Sequence, residues 1–196
     1  VVVAAKSVDA HPTLPGTLVD CVEEIRAAGG TASYIQVDVR DETQIEAMIQ
    51  HAISEHGRID YLFNNAGAIF LAPVAMVPPK KFDLMYQVNV RAAHIAAHYA
   101  LPHMVEQGFG HIVNFSPPLH LDPSPGMGPY MVTKLGMTRI AMAIAEEHRG
   151  DGIAQHAFRC VVRENDGNDQ RVLRRGARGE RASLVASTLA LGLRCS

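Results

Sequence analysis

Short apolar runs alternate with longer amphipathic stretches along most of the chain. Apolar runs typical of buried parallel strands lie at residues 1–5, 32–39, 59–63, 111–115 and 153–158. Between them, apolar positions at helical spacing predict helices at residues 18–28, 41–57, 79–106 and 129–148. This alternation predicts a doubly wound α/β fold, in which one parallel sheet is covered by helices on both faces.

Local signals mark the ends of several predicted helices. Asp41, with Gln44 three residues later, predicts an N-cap, and Gly57 predicts the end of the same helix. Residues 79–106 read as one long helix, with Pro102 as the expected bend.

Composition limits the class of protein. A chain of 196 residues suits one domain, and a net charge of −2 gives no bias toward nucleic acid or anionic membranes. No secretory signal or membrane-spanning apolar run is visible, so we expect a cytoplasmic protein. Three distant cysteines, Cys21, Cys160 and Cys195, are expected to be reduced thiols. His94 and His98 have no third ligand beside them, and no metal site is predicted.

Tyr130 and Lys134 form the central chemical motif. Four residues apart on a predicted helix, they share one face. A nearby ammonium stabilises a phenolate, which lets a tyrosine exchange protons with a carbonyl or alcohol oxygen near neutral pH. Taken alone, the spacing also fits an ordinary surface pair.

Other polar residues lie where parallel strands end, and ligands bind at that edge of such sheets. Lys6, Asp38, the Asn65-Ala66-Gly67 turn and Ser116 all follow predicted strands. Small residues in such a turn let the backbone approach a cofactor closely. Asn89 lies within a predicted helix, where asparagine is a poor helix former, so it either is exposed or holds a water or bends the helix.

These residues, in this order, resemble the short-chain dehydrogenase/reductase family over residues 1–154. The features are Asn65-Ala66-Gly67, the Asn89-Val90 pair, the run from His111 to Ser116, and the Tyr-x-x-x-Lys motif. Within the family, Ala4-Ala5-Lys6, His11-Pro12, residues 14–17 and residues 116–119 are most similar to the hydroxysteroid-dehydrogenase-like subgroup.

The resemblance implies hydride transfer between a nicotinamide cofactor and a small hydrophobic alcohol or carbonyl, in a homo-oligomeric protein. It implies that Tyr130 is the acid/base and that Lys134 holds the nicotinamide ribose. Ser116 would orient the substrate carbonyl, with Ser124 as a weaker substitute, and Asn89 would support a proton-relay water.

The resemblance also implies where the cofactor binds. Asn65, Ala66 and Gly67 would line the cofactor cleft, and Asp38 would contact the adenine. Lys6 lies where the strand meets the adenosine ribose, and a cation there suits the 2′-phosphate of NADP. NADP is therefore expected, with NAD as the alternative.

The chain departs from the family in several places. The family's glycine-rich turn and the strand before it are missing, and Pro117 replaces a second serine. Residues 1–154 are expected to form a partial dinucleotide-binding domain, and residues 155–196 a divergent basic tail. Eight of fourteen arginines lie in this tail, and we hypothesise a changed reading frame from about residue 155. The alternative function is a non-catalytic dinucleotide-fold protein that does not bind cofactor.

Overall fold

A computed structural model describes residues 1–8, 16–117, 125–159 and 188–191. The strands within these ranges are β1 (Val2–Ala5), β2 (Ser33–Gln36), β3 (Tyr61–Asn64), β4 (Gly110–Ser116), β5 (Ile153–Arg159) and β6 (Thr188–Leu191). The α-helices are α1 (Leu18–Ala27), α2 (Glu42–His56), α3 (Pro79–Tyr86), α4 (Ala92–Glu106) and α5 (Gly128–Glu147). From β1 to β5 the elements lie in the order that the apolar pattern predicted, whereas β6 was not predicted.

The strands form one parallel sheet in the order β2-β1-β6-β3-β4-β5. The position between β1 and β3 is held by β6. Leu189 of β6 lies opposite Val2 on one side and opposite Leu62 on the other. Two central strands with a gap between them would leave buried backbone groups without partners, and β6 supplies those partners.

The sheet is covered on both faces, as a doubly wound fold requires. Val2 and Ala4 point into a large apolar cluster with α2 and α4, whereas Val3 points into a second cluster with α1. Successive side chains of a strand alternate between faces, so the continuous apolar run of β1 serves both clusters. The predicted fold class is confirmed.

The predicted signals at the ends of α2 are also confirmed. The Asp41 carboxylate accepts hydrogen bonds from the backbone N–H groups of Thr43 and Gln44, at 2.9 and 3.4 Å. Gly57 ends the helix at a φ of 74°, a left-handed conformation that glycine adopts without steric cost. These caps fix the path of the chain on either side of α2.

Residues 79–106 are helical throughout, as predicted, but a π-helical turn at Gln87–Arg91 lies between α3 and α4. Pro102 lies inside α4, which continues through it. The turn contains Asn89, whose side chain bonds to backbone outside the helix. Such π turns often occur at functional sites, because the extra residue redirects a side chain.

The predicted division of the chain at residue 154 stays a prediction. The structure continues β5 to Arg159 and takes β6 from residues assigned to the tail. Because parallel pairing depends on distant partners, the composition of this region did not indicate that it contributes strands.

The expectation of three reduced cysteines is wrong, since Cys21 is disulfide-bonded. Its sulfur lies in the apolar cluster beneath α1, where Leu18 and Val22 also pack. Among the described residues, none of the helices has the length and apolar character needed to cross a bilayer.

Candidate active site

Tyr130 and Lys134 lie on the first turns of α5, and Lys134 is almost fully buried. The Lys134 side chain is 6% exposed, and its ammonium donates a hydrogen bond to the carbonyl oxygen of Phe115 over 2.8 Å. Phe115 is the penultimate residue of β4, so this bond brings Lys134 to the carboxyl edge of the sheet. Tyr130 is half-buried on the same helix.

The π turn brings Asn89 to the same edge. Its side chain is fully buried and pairs with the backbone of Ala68: Oδ1 accepts from the Ala68 N–H at 2.8 Å, and Nδ2 donates to the Ala68 carbonyl at 2.9 Å. Nδ2 also donates to Thr133 Oγ1 at 2.9 Å. Asn89 therefore joins the turn after β3 to the helix that carries Tyr130 and Lys134.

Gly67 marks the point where these groups converge. A Cβ atom placed on Gly67 would lie 3.7 Å from Asn89 Oδ1 and 3.8 Å from Lys134 Nζ. The Asn65–Gly67 turn, the π turn and α5 therefore approach one another at Gly67, where an added methyl group would contact both of the others. The structure brings together three residues that are far apart in the sequence and that sequence analysis selected separately.

Ser116 is the last residue of β4 and directly follows Phe115, whose carbonyl accepts the hydrogen bond from Lys134. It is 3% exposed, and its Oγ has no hydrogen-bond partner in the part of the chain that the structure describes. A buried hydroxyl without a partner favours a ligand oxygen at that position. Ser124, the weaker substitute, lies outside the described residues.

Two buried asparagines join the strands that carry this edge. Asn64 Nδ2 donates to Asn114 Oδ1 over 2.8 Å, and the two residues lie opposite each other in β3 and β4. The bond holds the strand ends in register immediately before the Asn65 turn and before Ser116.

An open cleft of about 910 Å³ lies at the carboxyl ends of β1, β2 and β3. Its lining includes all of the residues predicted to bind cofactor apart from Tyr130 and Lys134, namely Lys6, Asp38, Asn65, Ala66 and Gly67. Its volume lies within the range of ligand-binding clefts. The far end of the cleft, at Gly67, lies beside Asn89 and Lys134.

Two cations flank Asp38 on the wall of this cleft. Lys6 Nζ lies 3.1 Å from Asp38 Oδ2, and Arg40 Nε donates to Asp38 Oδ1 at 2.9 Å. The hydrogen bonds from Arg40 hold the pKa of Asp38 well below its usual range. With two positive groups and one carboxylate, this wall carries a net positive charge.

Sequence analysis did not select Arg40 or Thr133. Arg40 directly follows the predicted end of β2, so its position at the sheet edge was a usable signal. Thr133 lay inside the Tyr-x-x-x-Lys motif, but nothing local indicated its link to Asn89. In the described ranges, no group of three or more His, Cys, Asp or Glu residues could hold a metal ion.

The parallel sheet with helices on both faces, together with a cleft and a Tyr130–Lys134 pair at its carboxyl edge, defines a dinucleotide-binding α/β domain. The model of the short-chain dehydrogenase family matches residues 11–170, and the chain belongs to that family.

Curated relatives carry the name hydroxysteroid dehydrogenase-like protein 2. Those of Xenopus tropicalis and Homo sapiens are each 42% identical over 153 residues. The match covers 77% of this chain and 37% of each relative, so the chain spans well under half of their length. The resemblance to the hydroxysteroid-dehydrogenase-like subgroup is confirmed.

Solved structures share the fold. A short-chain dehydrogenase from Mycobacterium thermoresistibile is 41% identical with a TM-score of 0.73, over 78% of this chain and 55% of that one. A metagenomic short-chain oxidoreductase in complex with NADP is 28% identical with a TM-score of 0.71, over 80% of this chain and 68% of that one.

Proposed function

We propose that this chain carries the catalytic edge of an oxidoreductase that transfers a hydride between NADP(H) and an alcohol or carbonyl substrate. The observation that carries the proposal is the convergence of Lys134, Asn89 and Gly67 at the end of a cleft lined by Lys6 and Asp38. Family membership supports the reaction class.

The residues fit a bound dinucleotide. Gly67 has no side chain to fill the space beside Lys134 Nζ. The buried Ser116 hydroxyl makes no hydrogen bond to any of the described residues. When bound, the nicotinamide would supply or accept the hydride. Asn65, Ala66 and Gly67 would line its cleft, and Asp38 would contact the adenine.

Tyr130 would transfer the proton. A positive charge one helical turn away, as Lys134 supplies, would favour the phenolate form of Tyr130, so that the phenol could protonate a carbonyl oxygen or deprotonate an alcohol. Lys134 donates a hydrogen bond to the Phe115 carbonyl at the sheet edge, and its ammonium would hold the nicotinamide ribose. Ser116 would hold the substrate oxygen, and Asn89 would support a proton-relay water.

NADP is the proposed cofactor rather than NAD. Lys6 and Arg40 carry two positive charges against the single negative charge of Asp38. These cations would bind the 2′-phosphate of NADP more strongly than the uncharged 2′-hydroxyl of NAD. The metagenomic structural relative was solved with NADP. NAD remains the alternative, and a cofactor titration separates the two.

The proposed substrate is a small hydrophobic alcohol or carbonyl, which rests on the subgroup. The proposed assembly is a homo-oligomer. In its support, Val132, Leu135 and Met142 are 57%, 40% and 56% exposed on one face of α5, where a second copy could cover them. The proposed location is the cytoplasm.

The test is binding followed by turnover. We expect NADPH to bind with enhanced cofactor fluorescence, more tightly than NADH, and benzaldehyde or cyclohexanone to be reduced with loss of NADPH absorbance. A chain that folds but does not bind either cofactor would support the alternative, a non-catalytic dinucleotide-fold protein. Cofactor binding without turnover of any carbonyl in a panel would support the cofactor site and contradict the assigned catalytic activity.

A further inference from the structure

Thr133 lies between the two residues of the central motif and is fully buried. Its Oγ1 donates to the Tyr130 carbonyl oxygen at 2.7 Å and accepts a hydrogen bond from Asn89 Nδ2 at 2.9 Å. A hydroxyl has one hydrogen to donate, so the Tyr130 bond fixes the direction in which Oγ1 presents a lone pair to Asn89.

The bonds of Asn89 leave its amide no spare hydrogen. One Nδ2 hydrogen goes to the Ala68 carbonyl and the other to Thr133, while Oδ1 accepts from the Ala68 N–H. The Asn89 side chain therefore has no N–H left to donate to a substrate or to a relay water. Through its side-chain N–H groups, Asn89 therefore acts only on Ala68 and Thr133.

These bonds form a continuous connection from Ala68 through Asn89 and Thr133 to the backbone of Tyr130. Ala68 follows Gly67 directly, so the connection runs from the cofactor cleft to the catalytic helix. We propose that Thr133 is a positioning residue that fixes Tyr130 relative to the Asn65–Gly67 turn through Asn89. This inference rests on the proposed function, because it assigns Thr133 a part in that reaction.

A threonine that bonds back to its own helix is common, and that bond alone would not support the proposal. Thr138 provides the comparison on the same helix. Its Oγ1 donates to the Lys134 carbonyl oxygen at 3.1 Å, but within the described part of the chain no side chain bonds to it in return. The Asn89 bond, together with full burial, distinguishes Thr133 from this ordinary arrangement.

The experiment compares three variants of the full chain. Thr133→Val keeps the shape of the side chain but removes the hydroxyl, Thr133→Ser keeps the hydroxyl, and Thr138→Val is the matched control. With NADPH and benzaldehyde, we expect Thr133→Val to lower kcat on the order of tenfold to a hundredfold, because small misplacements of a reacting group are costly. We expect KM for NADPH to stay within about threefold, since the hydroxyl lies outside the cofactor cleft.

Thr133→Ser should restore most of kcat, and Thr138→Val should leave it within about threefold of the unaltered chain. A Thr133→Val variant with the kcat of Thr138→Val would overturn the proposal. So would equal losses in the Val and Ser variants, since these would point to packing of the methyl group.

A second measurement does not depend on turnover. The Ala68 amide is protected by Asn89 Oδ1, so we expect Thr133→Val to speed hydrogen exchange at Ala68 on the order of tenfold, and Thr138→Val to leave it unchanged. If the unaltered chain neither binds NADPH nor turns over, the proposed function fails. In that case hydrogen exchange at Ala68 still tests the hydrogen-bonded connection from Ala68 to Tyr130. An exchange rate at Ala68 that is the same in Thr133→Val and in the unaltered chain would refute the connection.

Discussion

The Lys134 ammonium and the Phe115 carbonyl oxygen, 2.8 Å apart, join α5 to the end of β4. Phe115 is 19 residues away in the sequence. The bond provides a hydrogen-bond acceptor for a charge that is almost fully buried, and it fixes the position of the ammonium beside the end of β4. The Lys134 position therefore depends on β4 as much as on α5.

Replacing Lys134 by alanine should damage both cofactor binding and turnover. It removes the charge beside Tyr130 and the hydrogen bond to the Phe115 carbonyl, a loss of about 1–3 kcal/mol. We expect the Kd for NADPH to rise at least about tenfold and kcat to fall at least about a hundredfold. Fluorescence titration, steady-state kinetics and urea unfolding would measure the three effects. Lys80→Ala, an exposed lysine on α3, is the control and should change none of them.

Replacing Tyr130 by phenylalanine should separate binding from chemistry. The change removes only the phenol oxygen, so the Kd for NADPH should stay within about threefold while kcat falls by about a hundredfold or more. Parallel titration and turnover assays measure both quantities. Near-normal kcat in this variant would show that another group transfers the proton.

The cations flanking Asp38 should determine the choice of cofactor. We expect Lys6→Ala and Arg40→Ala each to weaken NADPH binding by about five- to twentyfold while changing NADH binding less than about threefold, because only NADPH presents a 2′-phosphate. The ratio of the two dissociation constants is the measurement. Arg149→Ala, an exposed arginine two residues after the end of α5, serves as the charge-matched control. Equal losses of affinity for both cofactors would show that these cations do not recognise the 2′-phosphate.

The depressed pKa of Asp38 predicts an acid-sensitive contribution to stability. A carboxylate whose folded pKa lies below its unfolded value stabilises the fold above the unfolded pKa, and this stabilisation is lost as the pH falls toward the folded value. In Asp38→Asn, the free energy of unfolding should therefore depend less on pH below about pH 4. Urea unfolding between pH 3 and pH 7 measures this, with the exposed Glu23→Gln as the control. A variant that keeps the full acid dependence would contradict the assigned ion pair.

Gly67 should tolerate a methyl group but not a branched side chain. The nearest atoms to an added Cβ lie 3.7–3.8 Å away, an ordinary contact, and the residue does not have a positive φ. We expect Gly67→Ala to bind NADPH within about threefold of the unaltered chain. Gly67→Val should weaken binding by about tenfold or more, since its extra methyls reach toward Asn89, Lys134 and the cleft. Thermal unfolding of both variants separates lost binding from lost folding.

Patterns within the sequence determined the order of strands and helices, the caps at Asp41 and Gly57, and the residues at the strand ends. These features depend on neighbours a few positions apart, where the side-chain period, a capping side chain or a glycine acts on the backbone directly. Membership of a parallel sheet also implied that the strand ends meet at one edge, so Lys6, Asp38 and Gly67 could be grouped from sequence.

The tertiary structure alone decided which strand lies at the centre of the sheet and which groups meet at its edge. The place of β6 between β1 and β3 depends on backbone pairing with strands more than 120 residues away, which no local pattern encodes. Likewise, Asn89 meets Ala68 and Thr133 across 21 and 44 residues, and Arg40 gains its role only once Asp38 and Lys6 are side by side. Hydrogen bonds and ion pairs between distant segments form only after packing has closed the distance.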